Sequence, residues 1–335
     1  MVLACDVGGT KTRLSLFDHA GGALTLVRTE QYASRDHATL GEIVARFMGA
    51  QPPRLRAAGF GVAGPVVQGR ARTTNLPWVV DAAELATQLA LPVVALLNDV
   101  ETLAWSVARL GSADLIALQP GTALPTENVA IIAAGTGLGF SALVRSGGVS
   151  ASLPSEGGHA EFAPRTDVEV ELWRTLHGRF GHVSSERVLS GPGLRNIYEF
   201  LRNTGRGEVP PWLAEELRVG DPSATIATNG FNGRSPLCAQ ALTMFIEIYG
   251  AESGNWMLRT MARGGVYLGG GIAPKLFARP RAPGDAVNAR EVFLRGFVDK
   301  GRLRPLLESV PVQVIVNDEA ALLGSAHFAL AAASA

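Results

Sequence analysis

Four acidic residues stand where their neighbours could turn a carboxylate into chemistry. Asp6 ends the apolar run Val2-Leu-Ala-Cys-Asp-Val7 and is followed at once by Gly8, Gly9 and Thr10. Glycine lets another atom approach the backbone closely, and successive N–H groups in such a turn form a concavity suited to an anion. A carboxylate beside a phosphate works through a divalent cation, because the two bare anions repel. The same residues also suit an ordinary hairpin with a Gly-Gly turn. Asp99 closes the run Pro92-Val-Val-Ala-Leu-Leu-Asn-Asp99. Ligands collect outside the carboxyl ends of strands in open α/β sheets, which favours a functional Asp99, although an N-cap for a helix over 100–110 is the plain alternative. Glu156 and His159 flank Gly157-Gly158, a bend that lets both side chains reach one ligand. Carboxylate and imidazole supply mixed acceptors and donors to such a ligand. Glu161 reads as support for that loop. Glu186, in Val183-Ser-Ser-Glu-Arg-Val-Leu-Ser190, either complements a helix N-terminus or meets a ligand.

These residues must be placed by elements that recur. Asn128-Val-Ala-Ile-Ile-Ala-Ala-Gly-Thr-Gly-Leu-Gly-Phe-Ser-Ala-Leu-Val144 repeats the opening pattern of apolar run, Gly-Thr and alternating run. An offset of 135 − 9 = 126 sets Thr136 under Thr10 and Ser141 under Ser15 and puts Ile132 opposite Asp6. Pro311-Val-Gln-Val-Ile-Val-Asn-Asp318 likewise repeats 92–99. Two matches of this kind predict two related lobes, each with a glycine-turn hairpin and a strand–Asn-Asp–helix unit. Between these landmarks, residues 32–50 carry a helical pattern with Leu40, Ile43, Val44 and Phe47 on one face. A helix capped by Asp81 runs to about Leu89, another covers 237–261, and a strand covers 266–272. Residues 203–233, rich in Gly, Pro, Asn and Thr, read as loop and short helix, and 319–333 as a helix apolar on nearly every face.

The chain resembles the bacterial glucokinases of the actin/hexokinase-like superfamily. The resemblance is carried by DVGGTKTRLSLF at 6–17, GVAGPV at 61–66, TNLPW at 74–78, LLND at 96–99 and GTGLG at 135–139. It continues through LPSEGGHAEFAP at 153–164, GHVSSERVLSGPGL at 181–194 and GGVYLGGGIAP at 264–274. It implies an α/β protein of two ribonuclease H-like lobes, 1–105 with 318–335 and 106–317, around a nucleotide and sugar cleft. It implies transfer of the ATP γ-phosphoryl group to the 6-hydroxyl of glucose, with Asp99 as the base. Asn75, Asn98, Asp99, Glu156, His159 and Glu186 would hold the sugar. Asp6, Gly8, Gly9, Thr10, Lys11, Gly135, Thr136, Gly137, Gly269, Gly270 and Gly271 would meet ATP, with Mg²⁺ held from Asp6 through water. Of the two Asn-Asp pairs, only the first is catalytic by resemblance. Lys11 stands where close relatives often carry Asn, and Ser155 where Gly is common, so another hexose or a polyphosphate donor stays open. A sugar-sensing regulator without turnover is the reading from another class. A homodimer is implied by resemblance alone.

Composition agrees with a cytoplasmic enzyme. At 335 residues, with 47% hydrophobic and 18% charged residues, the chain can bury a large core. Net charge is zero and no basic cluster occurs, which argues against nucleic acid or an anionic membrane as partner. No apolar run has the length of a membrane span. Cys5 and Cys238, the only cysteines, read as buried thiols in a reducing compartment and are too few for a cysteine-rich zinc site.

Overall fold

A computed structural model describes residues 1–73 and 76–334. The chain opens with three antiparallel strands, β1 (Val2–Val7), β2 (Lys11–Ala20) and β3 (Ala23–Ala33). Helix α1 (Leu40–Met48) leads to β4 (Ala57–Val62), which lies parallel to β1. A small ribbon of β5 (Val66–Val67), β6 (Arg70–Arg72) and β7 (Val79–Asp81) comes next, then α2 (Ala82–Leu89). β8 (Ala95–Asn98) returns parallel to β4 and runs into α3 (Asp99–Ser106). The sheet order is β3-β2-β1-β4-β8.

The second half repeats this plan. After β9 (Leu115–Gln119), the strands β10 (Val129–Ala134), β11 (Leu138–Ser146) and β12 (Val149–Ser155) form an antiparallel trio. Five helices follow: α4 (Asp167–Phe180), α5 (Gly191–Asn203), α6 (Pro211–Val219), α7 (Pro222–Phe231) and α8 (Pro236–Thr260). Then β13 (Gly265–Gly269) lies parallel to β10. After α9 (Ala273–Phe277), α10 (Ala289–Val298) and α11 (Arg304–Ser309), β14 (Val312–Ile315) lies parallel to β13, and α12 (Ala320–Ala332) closes the chain. The order β12-β11-β10-β13-β14-β9 is the first sheet again with one added edge strand. The two related lobes expected from the repeats, and the ribonuclease H-like fold implied by the resemblance, are therefore present.

The burial pattern explains why β1 reads as a continuous apolar run. Leu3, Cys5 and Val7 face a core shared with Ile43, Val44 and Phe47 of α1, while Val2 and Ala4 face Leu322, Ala326 and Ala329 of α12. A strand covered on both faces has no polar side to alternate. Fully burying each such large side chain is worth about 1.5–3 kcal/mol. α12 is apolar all round for the same reason, packing on β1 and β4 and also on α3. α3 in turn crosses from the first sheet onto β10, β11 and β12 of the second. Leu97, Val100, Ala104 and Trp105 form one core there with Val129, Ile131 and Leu143.

Three local expectations change. Tyr32 belongs to β3, and α1 starts only at Leu40, where the Thr39 hydroxyl accepts the Glu42 N–H at 3.2 Å. Asp99 is not the cap of α3, because the Asn98 side chain occupies that role. Residues 203–233 hold two helices, α6 and α7, each opened by a proline in its first turn, a position where its missing N–H costs nothing. Among the described residues no helix is long and apolar enough to cross a membrane.

Candidate active site

The centre of the site is the elbow where β8 becomes α3. The Asn98 side-chain oxygen accepts the Val100 N–H at 2.9 Å, and its amide nitrogen donates to the Gly64 carbonyl at 3.0 Å. Asn98 thus ties the elbow to the Gly64-Pro65 loop and keeps a second amide hydrogen for a ligand. With the cap supplied by Asn98, Asp99 projects from the first turn of α3. Its carboxyl is pushed up to about 6, first by burial and then by the nearby negative charges of Asp6 and Glu156, against hydrogen bonds that lower it. Three carboxylates from three segments therefore converge. Asp6 lies at the carboxyl end of β1, opposite Arg13 on β2 and Gly61 on β4. Burial raises its carboxyl, and the Arg13 guanidinium partly offsets this. Arg13 itself donates to the Asp318 carbonyl at 2.8 Å, so the second Asn-Asp turn buttresses the first hairpin.

β12 delivers the sugar-loop candidates. Gly157–His159 make a single 3₁₀ turn, and Glu156 Oε2 stands 3.8 Å from His159 Nε2, with both side chains more than half exposed. The Ser155 hydroxyl accepts the Gly157 N–H at 3.0 Å. The His159 carbonyl bonds His182 Nε2 at 2.8 Å. Glu161 supports the loop through a backbone bridge to Ser184. Glu186 lies on a three-residue 3₁₀ turn with no side-chain cap, so it does not serve a helix there. Its Oε2 accepts the Leu138 N–H at 3.0 Å, beside the second glycine turn. Asn75 lies outside the described residues.

The two glycine turns close differently. In the first, the Gly8 N–H donates to the Lys11 carbonyl at 3.0 Å and Ser34 Oγ holds the Gly8 carbonyl at 2.8 Å. The N–H groups of Gly9 and Thr10 find no acceptor among the described residues, and Thr10 and Lys11 are exposed. In the second, the Gly135 N–H donates to the Gly137 carbonyl at 2.8 Å, and the Gly191 N–H at the start of α5 donates to the Gly135 carbonyl at 2.9 Å. Gly135 and Thr136 stand at the edge of a cavity of about 770 Å³ whose walls include Gly191, Arg195, Ser223, Gly271 and Lys275. Of the three glycines expected there, only Gly271 is a wall residue. Gly269 faces Leu103, and Gly270, at φ +76°, packs on the Ala134 carbonyl. A Cβ at Gly270 would sit 2.4 Å from that oxygen, so Gly270→Ala should cost about 2 kcal/mol or more, read as a lowered midpoint in urea. The α5 and α7 contributions to this cavity were missed from sequence. Their signal was Ser190-Gly-Pro-Gly and Asp221-Pro, cap-and-proline pairs that mark helix starts. A larger cavity, about 930 Å³, opens at the opposite end of β1 around Met1, Arg54 and Gln88 and contains none of the chemistry-bearing residues.

A family profile described as Glucokinase matches residues 3–332. The chain belongs to the glucokinase family. A relative named Glucokinase from Nostoc punctiforme is 39% identical over 341 residues, covering 97% of this chain and 98% of its own. A crystal structure of glucokinase from an Antarctic psychrotroph superposes with a TM-score of 0.84 at 28% identity, covering 98% of both chains. The ROK family glucokinase from Streptomyces griseus, solved with glucose and AMPPNP, shares the fold at a TM-score of 0.60 and 21% identity, over 98% of this chain and 99% of that one. These glucokinase relatives place the chain among hexose kinases of two-lobed actin/hexokinase-like fold.

Proposed function

We propose that this cleft transfers the γ-phosphoryl group of ATP to the 6-hydroxyl of glucose. The observation that carries the reading is Asp99, held at the sheet's carboxyl edge with its carboxyl raised to about 6 by burial, Asp6 and Glu156. A base of that strength is ionised at neutral pH yet basic enough to take a hydroxyl proton as the bond to phosphorus forms. Asn98, Asp99, Glu156, His159 and Glu186 would grip the sugar, joined by Asn75. The turns at 8–11 and 135–137 would cradle the phosphates through free N–H groups and the hydroxyls of Thr10 and Thr136. Adenosine would occupy the 770 Å³ cavity, where Gly271 and Lys275 meet Arg195.

Asp6 fits a divalent cation. It is an enclosed carboxylate next to the phosphate turn, offering one hard oxygen donor. That donor set suits Mg²⁺ kept mostly by water and phosphate oxygens. Bound with ATP, Mg²⁺ neutralises phosphate charge, and the protein's own part is to place the hydroxyl, remove its proton and exclude water. The lobes of this reading are 1–105 with 318–335 and 106–317. A homodimer in the cytoplasm completes it, by family membership.

The acid limb of kcat/KM for glucose should bend at about pH 6, because the base must be ionised. Below that the rate should fall about tenfold per pH unit. The substrate assignment is tested by ADP formation with glucose, mannose, fructose, galactose and N-acetylglucosamine, using Mg-ATP or polyphosphate as donor. Preference for glucose with ATP supports the reading. Turnover of another hexose alone, or with polyphosphate alone, replaces the substrate.

A further inference from the structure

Glu101 has no part in the chemistry described so far, yet it is a carboxylate only 6% exposed. It lies in the first turn of α3, two residues beyond Asp99. One carboxylate oxygen accepts the Asn98 N–H at 3.1 Å, and the other accepts the Ser152 hydroxyl at 2.7 Å. No ion pair to Glu101 occurs among the described residues, so these hydrogen bonds and the positive end of α3 stabilise its charge. The two bonds join different parts of the molecule. Asn98 ends β8 in the first sheet, whereas Ser152 lies on β12 in the second, three residues before Ser155 and the Glu156–His159 loop.

We infer that Glu101 is a positioning residue, which locks the Asn98–Asp99 elbow to β12 and so holds Asp99 in register with the sugar loop. The inference rests on the reading of Asp99 as the base. Two anchors act on the elbow. The Asn98 amide holds it to the Gly64 loop of the first sheet, and Glu101 holds it to the second. Through Glu101 the elbow, carried on the first sheet with Asp6, is also tied to the strand that leads to Glu156 on the second. That bond would set the distance from the base to a hydroxyl held by the Glu156–His159 loop. Reaction rates are steep in that distance, a displacement of about 1 Å costing on the order of 10²-fold. The bond from the Asn98 N–H to Glu101 is half of the capping box that opens α3, and that box is complete without Ser152, so the bond from the Ser152 hydroxyl is the added feature.

Ser152→Ala removes only the bond across the sheets, at a partly exposed position that tolerates alanine. It should lower kcat about three- to tenfold and raise KM for glucose, with KM for ATP unchanged. Glu101→Ala should lower kcat further, and Glu101→Gln, which keeps the shape and can still bond both partners, should recover most of the loss. A purely structural role would lower the melting temperature without splitting the two KM values. Steady-state kinetics well below the melting temperature, with Asp99→Asn alongside, separates the outcomes. Wild-type kcat and KM in folded Ser152→Ala, with Asp99→Asn inactive, overturns the inference and leaves the base in place. An active Asp99→Asn overturns the base reading itself. If Glu101→Ala fails to fold, Ser152→Ala and Glu101→Gln carry the test, and equal loss in both KM values overturns the inference.

Discussion

Asp99→Asn should reduce kcat with glucose by at least about 10²-fold while leaving glucose binding nearly intact. The substitution keeps size and hydrogen bonding but removes the acceptor of the hydroxyl proton. The same variant should be more stable than the parent at pH 7. In the folded protein Asp99 holds its proton up to about pH 6, whereas an unfolded aspartate releases it in the ordinary carboxylate range near 3.8. The folded state therefore binds more protons between those values, and stability is lost as pH rises through that window. Asparagine abolishes this cost, which gives a gain of about 1–3 kcal/mol at pH 7 that disappears below about pH 4. Denaturant midpoints of both proteins at pH 4 and pH 7 read it directly. A variant that is inactive and more stable is the mark of a strained functional group.

Gly158→Ala should damage glucose use as severely by a different route. Gly158 is buried in the turn of the sugar loop, where a Cβ would stand 1.9 Å from the Leu138 carbonyl. Neither backbone can yield cheaply, since Leu138 begins β11 and its N–H is held by Glu186. The loop must lift, taking Glu156 and His159 away from Asp99 and disturbing Glu186. A fall in kcat/KM for glucose of about 10²-fold is expected. Nucleotide affinity should change less than glucose use, because the cavity proposed for adenosine has no wall on this loop. Fluorescent nucleotide titration beside glucose kinetics checks both halves.

Much of this was legible in the sequence because the fold is written twice. The paired glycine turns and Asn-Asp strand ends identify equivalent strands in two sheets, and the apolar final helix announces a partner on every side. The limits are equally physical. A constant offset of 126 would set Ser141 opposite Ala130, yet it pairs with Ile131, whereas Ser15 pairs with Ala4. The second turn is one residue tighter, a difference that side-chain patterns do not encode. β3 was hidden because nearly all of it is exposed and it carries little apolar alternation. The pair Asn98-Asp99 could be singled out from sequence, but its division of labour could not. Either residue can cap a helix, and only the structure shows that Asn98 forms the capping box, with Asp99 Oδ1 sharing the Val100 N–H at 3.0 Å. Glu101 was invisible for a similar reason, since its partner Ser152 is 51 residues away on the other sheet.

In the proposed reading these carboxylates and turns make a Mg-ATP-dependent glucose 6-kinase. The most direct test follows the products by ³¹P NMR after mixing protein, Mg-ATP and glucose, with and without EDTA. Glucose 6-phosphate and ADP are expected in equal amounts, abolished by EDTA and by Asp99→Asn. Glucose that raises the melting temperature while no phosphate ester forms would contradict that reading and leave a sugar-binding protein without transfer chemistry.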